Sequence, residues 1–205
     1  MDFSSIIDQS LLIFNKYGYH DTSLELLLDQ IQVRPSDFHR DFSGIDDLVE
    51  KAFFQLCKES DDMAAEIDMI EKTSLEKLFI TTVKSYELQV KYRFIFLDMA
   101  HILGRHERIK DRYFELISLR KAQLSHLFVI LKNEGIFRDE KVAGTYENLS
   151  SQMIMLSDYW PTHNYIIFGN EAYHYQYYGK LIFSMVLPFL TEKGLELYKT
   201  ILGYK

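Results

Sequence analysis

The stretch that decides the fold runs from residue 13 to residue 48 and reads IFNKYGYHDTSLELLLDQIQVRPSDFHRDFSGIDDL. Its apolar residues recur at the three- and four-residue spacing of amphipathic helices, and short polar segments separate the runs. Thr22 or Ser23 can cap the second helix, and Pro35 suits the first turn of the third, where a missing N–H costs no hydrogen bond. Two short helices joined by the tight segment 30–33 indicate a helix-turn-helix, although this spacing alone is a weak signal.

Helical periodicity continues along nearly the whole chain, and no window alternates apolar and polar residues as a half-buried strand would. Ser43 and Asp46 resemble a capping box that opens a fourth helix toward residue 61, and Ser74 is expected to cap a fifth helix. A helix of roughly 40 Å is predicted over 107–134. Further apolar or helical segments are predicted at 92–103, 146–159, 171–188 and 191–202, with Pro161 and Gly169 in a loop between 146–159 and 171–188.

These segments predict an all-α chain of about nine to ten helices arranged in two domains. Residues 1–50 are expected to form an N-terminal three-helix helix-turn-helix domain. Residues 51–205 are expected to form a larger helical bundle domain.

Composition excludes several classes of protein. The 205 residues are enough for one good core or two small ones, so neither disulfides nor a metal is needed for stability. The single cysteine, Cys57, has no internal partner, which favours a reducing compartment. The start MDFSS carries an acid where a signal peptide has basic residues, and the apolar run 181–190 is about half the length of a membrane span. We therefore expect a cytoplasmic protein that does not enter a membrane.

The net charge is concentrated at one end of the chain. Residues 1–50 hold three Lys or Arg residues and ten Asp or Glu residues, which accounts for the whole formal charge of −7. The other 155 residues carry twenty charges of each sign and are formally neutral. Such asymmetry is a constraint on any hypothesis that gives the first 50 residues a nucleic-acid partner, because DNA is itself a polyanion.

The exact residues of the opening stretch strengthen the helix-turn-helix prediction. Without a gap, the stretch resembles the N-terminal DNA-binding domain of the TetR family of bacterial regulators. The segment YRFIFLDMAHIL at 92–103 looks like one ligand-binding-domain subfamily of those regulators. The matching positions of the opening stretch are mostly framework residues: Phe14, Gly18, Tyr19, Thr22, Ser23, Leu27, Val33, Phe42 and Leu48.

The resemblance implies a double-stranded DNA operator as partner and a DNA-facing surface on the third helix. Its expected DNA-facing residues are Arg34, Ser36, Asp37 and His39, with Arg40 as an addition and Thr22 as a phosphate-facing cap. The chain departs from the family pattern at four positions. Leu28 replaces the usual Ala, Gln32 the usual turn Gly, His39 the usual Tyr, and Ile45 a Lys that often contacts phosphate.

Aromatic residues concentrated after residue 90 favour a ligand pocket in the second domain, where Trp and Tyr provide polar groups that orient a ligand. Asp98 and His101 lie three residues apart on one predicted helix, although a structural hydrogen bond for His101 is the commoner reason for such spacing. Few cations accompany these residues, so an unknown small, apolar or aromatic ligand is expected. The expected pocket residues are Phe94, Asp98, His101, Tyr113, Tyr159 and Trp160.

No sequence pattern indicates catalysis. The chain has no HExxH or CxxC pattern for a metal, and no recognisable frame for a Ser-His-Asp triad. We therefore expect no metal site, no cofactor and no enzyme activity.

The last two long helices carry more apolar surface than one buried side requires, which favours association. The resemblance implies that they form a four-helix bundle with a second subunit, giving a homodimer with its recognition helices about one DNA turn, ~34 Å, apart. The expected interface residues are Met153, Leu156, Phe183, Val186 and Leu187.

Together these observations predict a ligand-responsive DNA-binding transcriptional regulator, a repressor of the TetR type. The alternative is a small-molecule or protein-binding module of the same fold whose acidic helix-turn-helix has lost DNA binding. The charge of the first 50 residues and the missing Lys at Ile45 favour the alternative, whereas Arg34, Thr22 and the Gly18 framework favour the regulator.

Overall fold

The computed structural model describes residues 2–204 and confirms the all-α fold. This part of the chain contains eleven α-helices, one 3-10 helix over Ser184–Phe189 and no strand. One isolated antiparallel bridge joins Phe137 and Leu190. The helices are α1 Phe3–Tyr17, α2 Leu24–Ile31, α3 Pro35–Phe38, α4 Ile45–Asp68, α5 Ser74–Lys91, α6 Arg93–Leu97, α7 Met99–Arg105, α8 Glu107–Asn133, α9 Thr145–Phe168, α10 Tyr175–Phe183 and α11 Glu192–Leu202.

The helices group into two compact units. The first unit contains the chain up to Asp61 together with Leu88–Tyr113 and Pro161–Tyr173. The second unit contains Asp62–Glu87, Phe114–Trp160 and the chain from His174 onward. This grouping follows packing, and the functional boundary at residue 50 stays a prediction.

The first three helices begin and end where local sequence chemistry dictates. Ser23 is the N-cap of α2, its hydroxyl accepting from the N–H of Leu26 at 3.1 Å. Pro35 occupies the first turn of α3, as expected. Gln32 ends α2 in the left-handed conformation, and within residues 2–204 it is the one residue other than glycine with a positive φ. These helices enclose the buried side chains of Ile7, Leu11, Phe14, Leu27, Ile31 and Phe38.

The two predicted caps after α3 are each displaced by one residue. The N–H of Ser43 donates to Asp47 at 2.9 Å, whereas Asp46 accepts from groups on other elements, so the expected Ser43–Asp46 box is wrong. Similarly, Thr73 rather than Ser74 caps α5 and forms a reciprocal box with Glu76.

Three of the predicted segments later in the chain are divided or extended in the structure. The apolar segment 92–103 contains a break at Asp98, which ends α6 and precedes α7. Pro161 lies inside α9 rather than in a loop, and the helix continues to Phe168 before Gly169 ends it with a φ of 74°. The predicted helix 171–188 is α10 followed by the 3-10 helix.

Aromatic packing forms the core of the second unit. The indole of Trp160 stacks on Tyr86 with ring centroids 5.0 Å apart, and it packs at a tilt against Tyr178 at 5.2 Å. Phe183 packs in the same way between Phe79 and Tyr198. Within residues 2–204, no helix combines the length and the apolar character needed to cross a bilayer.

Candidate nucleic-acid interface

The third helix is only one turn long, and its inner side is fixed by Phe38, which is completely buried. Arg34 is its N-cap residue and makes no side-chain cap hydrogen bond. Arg34, Ser36 and His39 are exposed and Asp37 is half-buried, so the structure brings these four predicted residues together on one turn. The short helix thus presents a small polar surface.

A groove of about 800 Å³ lies between α2 and α3. Its floor is apolar, and its charged lining consists of two carboxylates, Glu25 and Asp29, and one guanidinium, Arg34. The acids therefore outnumber the permanent bases in the lining of this groove. The lining residues are Leu24, Glu25, Leu28, Asp29, Gln32, Val33, Arg34, Pro35 and His39.

Both arginines of this region are paired with neighbouring acids. Arg34 Nε donates to Asp37 Oδ2 at 2.8 Å, and this hydrogen bond lowers the pKa of the Asp37 carboxyl. Arg40 donates to Asp41 Oδ2 through Nε at 3.2 Å and through Nη2 at 3.0 Å. Exposed pairs of this kind add little to stability, but they orient the guanidinium groups.

One cation of this region, Lys51, lies just beyond the predicted domain boundary at residue 50. Lys51 Nζ donates to the Asp41 carbonyl at 2.6 Å and to Asp47 Oδ2 at 3.0 Å, and it lies 4.9 Å from the centre of the Phe42 ring. Lys16 lies over the ring of Tyr17 at 4.7 Å. The ammonium of Lys51 is therefore already engaged by groups of the first unit.

His39 and Thr22 are held by backbone groups. His39 Nδ1 lies 3.2 Å from the Phe42 carbonyl, and its ring packs edge-on against Phe38. Thr22 is buried, and its hydroxyl donates to the Gly18 carbonyl at 2.6 Å. Thr22 is therefore not the cap of α2, and its hydroxyl proton is not directed at a phosphate.

The first unit contains a hydrogen-bonded network that sequence reasoning missed. Tyr19 Oη donates to Asp46 Oδ1 at 2.6 Å and lies 3.1 Å from Nε2 of His106. Arg105 holds the same carboxylate through Nε at 3.0 Å and Nη2 at 2.7 Å. Because the Tyr19 proton goes to Asp46, Nε2 of His106 is the donor to Tyr19. The network joins the α1–α2 turn, the start of α4 and the α7–α8 junction.

Burial and neighbouring carboxylates shift the pKa of His106 in opposite directions. Burial lowers the pKa of His106, and nearby Asp46 and Glu50 act in the raising direction. Glu50 lies 3.8 Å from His106 Nδ1 and pairs with Arg108 at 3.1 Å. The hydrogen bond from Arg105 keeps the pKa of Asp46 below its usual value. His106 is thus a buried imidazole whose charged form is disfavoured by burial, and it lies near the carboxylates of Asp46 and Glu50.

Asn15, at the end of α1, is the centre of a second network in the first unit. Its Nδ2 donates to the Lys91 carbonyl at 2.8 Å, and its Oδ1 accepts from the Phe94 N–H at 3.0 Å. Its carbonyl accepts from Asn170 Nδ2 at 2.9 Å. The side-chain amide of Asn15 therefore joins α1 to the α5–α6 junction, and its backbone carbonyl joins α1 to the loop after α9.

The six expected pocket residues have different environments. Phe94, Asp98, His101 and Tyr113 lie in the first unit, whereas Tyr159 and Trp160 lie in the second. Phe94 is buried against Phe14, with ring centroids 4.9 Å apart, and Trp160 belongs to the core described above. The ring of His101 is exposed and lies 5.0 Å from that of His20. The ligand pocket itself stays a prediction.

Three expected interface residues belong to the core of a single chain. Met153, Phe183 and Val186 are buried within the second unit, so in this conformation their side chains are not exposed for contact with another subunit. Leu156 and Leu187 are exposed by 40% and 38%. Other exposed apolar side chains on α9 and α10 in that unit are Met155, Tyr159, Tyr177 and Leu181.

In residues 2–204, no three His, Cys, Asp or Glu side chains are grouped as metal ligands would be. A family model described as TetR, bacterial transcriptional repressor, matches residues 60–198, which is more than half of the chain. No curated protein sequence matches the chain significantly.

Several solved structures share the fold. A TetR-family transcriptional regulator from Marinobacter aquaeolei VT8 is 18% identical with a TM-score of 0.83, and the match covers 100% of both chains. The transcriptional regulator FadR from Bacillus subtilis, in complex with stearoyl-CoA, is 15% identical with a TM-score of 0.66, covering 90% of this chain and 97% of that one. A gamma-butyrolactone receptor, an ArpA-like protein, is 18% identical with a TM-score of 0.65, covering 98% and 93%.

Proposed function

Because the chain belongs to the TetR family of bacterial transcriptional repressors, we propose that it is a DNA-binding repressor whose operator affinity is controlled by a small ligand. The observation that carries this proposal is the exposed turn of α3, where Arg34, Ser36, Asp37 and His39 lie together on a helix fixed by a buried phenylalanine. These side chains supply the hydrogen-bond donors and acceptors that read base edges in a major groove. Thr22 is left out of the proposed interface because its hydroxyl is buried.

The Tyr19–His106 network supports a route for ligand control. His106 directly precedes α8, and it reaches Tyr19 and Asp46 in the helix-turn-helix region through contacts of 3.1 Å or less. A ligand that shifts the start of α8 would displace these contacts and alter the position of α1 and α4. Ligand binding then changes operator affinity by favouring one arrangement over the other.

We propose a homodimer formed by the exposed apolar side chains of α9, α10 and the 3-10 helix Ser184–Phe189. Regulators of this family act as dimers, and a two-fold axis would place two copies of α3 about one DNA turn, ~34 Å, apart. The proposed interface uses Leu156 and Leu187 from the sequence prediction and adds Met155, Tyr159 and Leu181.

The proposed ligand is a small apolar or aromatic molecule. One structural neighbour supports this class, because it is a gamma-butyrolactone receptor, whereas the stearoyl-CoA bound by another combines an apolar acyl chain with a large anionic group. The proposal gives the protein no catalytic role and places it with the chromosome in the cytoplasm.

One observation favours the second candidate, a binding module of the same fold that no longer binds DNA. Glu25 and Asp29 line the groove beside α3, and Arg34 and Arg40 are each paired with an acid. Negative charges near the phosphate backbone reduce the affinity for DNA. Few cations are available to neutralise phosphates and so release counterions from the DNA.

Titration of the protein against the DNA upstream of its own gene, at ~50 and ~200 mM salt, separates the two candidates. A scrambled duplex of equal length is the control. The repressor proposal predicts preferential binding of the upstream duplex at the lower salt, weakened at the higher salt. Absence of binding at ~50 mM salt would overturn it and favour the binding module.

A thermal-shift screen with apolar and aromatic compounds tests ligand control. Stabilisation grows as RT ln(1 + [L]/Kd), so a tight ligand raises the melting temperature in proportion to the logarithm of its concentration. A stabilising compound should also change operator affinity. A compound that stabilises the protein without any effect on DNA binding would contradict ligand control by that compound.

A further inference from the structure

The two arginines next to α3 differ in which nitrogen atoms their acidic partners use. Asp37 holds Arg34 through Nε alone, at 2.8 Å. Among residues 2–204, neither Nη1 nor Nη2 of Arg34 has a protein partner, and the side chain is 80% exposed. The end of this guanidinium is thus open to solvent while its plane is fixed from the side.

A guanidinium held in this way matches one base. The open end of Arg34 offers two parallel N–H donors, and guanine presents two acceptors, O6 and N7, at the corresponding spacing in the major groove. Adenine, thymine and cytosine each lack this pair of acceptors. Because Asp37 already orients the fork, less side-chain entropy is lost when the two hydrogen bonds form.

Arg40 has a different geometry. Asp41 Oδ2 accepts from both Nε and Nη2 of Arg40, at 3.2 and 3.0 Å, along one side of the guanidinium, so the N–H groups at its end stay open. Arg40 lies after the end of α3, whereas Arg34 is the N-cap residue of that helix, so the two guanidinium groups differ in their position relative to the exposed turn. Arg40 therefore serves as an internal comparison for Arg34.

We propose that Arg34 reads a guanine in each half of the operator and that Asp37 is the positioning residue for this contact. The inference deepens the proposed function and rests on it, since it requires that the domain binds DNA. It also explains how an acidic domain retains selectivity. Glu25 and Asp29 weaken the general attraction to phosphates, so one well-oriented base contact contributes a larger share of the affinity.

The test begins with selection of preferred sites from duplexes with randomised half-sites, using the full-length protein. Kd is then measured for the selected site and for each single-base change. In the wild type, one guanine should be preferred over other bases by roughly ten- to a hundredfold. Arg34→Lys should abolish the preference at that position, because a lysine is a point charge without the planar fork.

Asp37→Asn gives the diagnostic result for a positioning role. Removing the negative charge should strengthen binding to a scrambled duplex, whereas the loosened guanidinium should lower the preference for guanine at least several-fold. If Asp37 acted only by repelling phosphates, Asp37→Asn would change the affinity for every duplex by the same factor. Arg40→Lys, the matched control, should weaken binding uniformly and leave the base preference unchanged.

Two results would overturn the inference while the proposed function stands: a guanine preference that persists in Arg34→Lys, or equal factors for all duplexes in Asp37→Asn. If the wild-type protein binds no duplex at ~50 mM salt, the proposed function fails and this inference fails with it. Circular dichroism of each variant checks that these exposed substitutions leave the fold intact.

Discussion

Gln32 adopts a strained backbone conformation that allows α2 to end in a tight turn. It closes α2 with φ 54° and ψ 43°, and its N–H donates to the backbone carbonyls of Asp29 and Leu28. A side chain in the left-handed region costs about 1–2 kcal/mol because its Cβ approaches the following carbonyl. The resemblance to the TetR family implies glycine at this position, so the chain accepts this strain to keep the turn.

Replacing this glutamine should therefore stabilise the protein. Gln32→Gly is expected to raise the free energy of unfolding by up to about 1 kcal/mol, since relief of strain exceeds the added entropy of the unfolded chain. Gln30→Gly, two residues earlier inside α2, should lower it by about 1 kcal/mol. Urea denaturation followed by circular dichroism measures both changes. The same sign for both variants would show that the left-handed turn is not strained.

Asn15 illustrates the opposite case, a residue whose contribution comes from distant partners. Asn15→Ala removes a donor to Lys91 and an acceptor from Phe94, leaving both backbone groups without their partner. The free energy of unfolding should fall by about 2–4 kcal/mol. Asn148→Ala, at an exposed position of α9, is the matched control and should change it by less than about 0.5 kcal/mol. Equal losses in the two variants would remove Asn15 from its central role.

At the scale of elements, the Tyr19–His106 network couples a helix-turn-helix to the segment before α8. Two carboxylates, Asp46 and Glu50, and the guanidinium of Arg105 surround a buried imidazole whose charged form is disfavoured by burial. Its lowered pKa means that below about pH 6.5 the unfolded chain binds a proton at His106 that the folded chain does not. The stabilising contribution of His106 is therefore complete above that pH and is lost as the pH falls from there toward the folded-state value.

This linkage predicts a measurable loss of stability in mild acid. The wild-type free energy of unfolding should fall between about pH 7.5 and pH 5, a range in which Asp46 stays ionised because its pKa is lowered. His106→Gln keeps a donor toward Tyr19 without the titration and should reduce the fall. His126→Gln, an exposed control on α8, should leave it unchanged. A fall as steep in His106→Gln as in the wild type would contradict the assignment.

Local chemistry accounts for the elements that the sequence predicts well. The ends of α2 and α3 follow from Ser23 and Pro35, which act within a few residues of themselves. Pro161 is different: its ring removes one hydrogen bond, but the buried residues on either side, Trp160 and Asn164, keep α9 continuous. Packing therefore overrides a local helix breaker, and no pattern of neighbouring residues reveals this.

The same limit applies to the candidate site. The residues of α3 can be predicted because the resemblance places them in an ungapped stretch, whereas the Tyr19–His106 network joins residues far apart in sequence. The resemblance also cannot predict that Asp37 and Asp41 hold their arginines differently, because this depends on individual rotamers. Sequence periodicity thus locates the surface, and side-chain geometry decides which groups on it remain available.

At the scale of the whole molecule, α9, α10 and the 3-10 helix that follows α10 carry apolar residues on more than one side. Sequence periodicity cannot decide which side faces the core, and for this reason it placed Phe183 and Val186 in an interface although both are fully buried. The exposed side carries Met155, which is 64% exposed, and Leu181. An apolar surface of this kind is costly in a monomer and is covered in the proposed homodimer.

Charges on the exposed side should therefore separate the subunits without unfolding them. Met155→Lys combined with Leu181→Lys is expected to convert a dimer into a monomer in sedimentation velocity, with little change in circular dichroism, because desolvating two ammonium groups in an apolar interface is unfavourable. Val142→Lys, at an exposed position between α8 and α9, should remain dimeric. Phe183→Ala should instead lower the free energy of unfolding by about 3–5 kcal/mol. A wild-type monomer, or a dimer that persists in the double variant, would contradict the interface.

Since two copies of α3 must contact DNA together, the monomeric variant should also lose most of the operator affinity while keeping the guanine preference of each half-site.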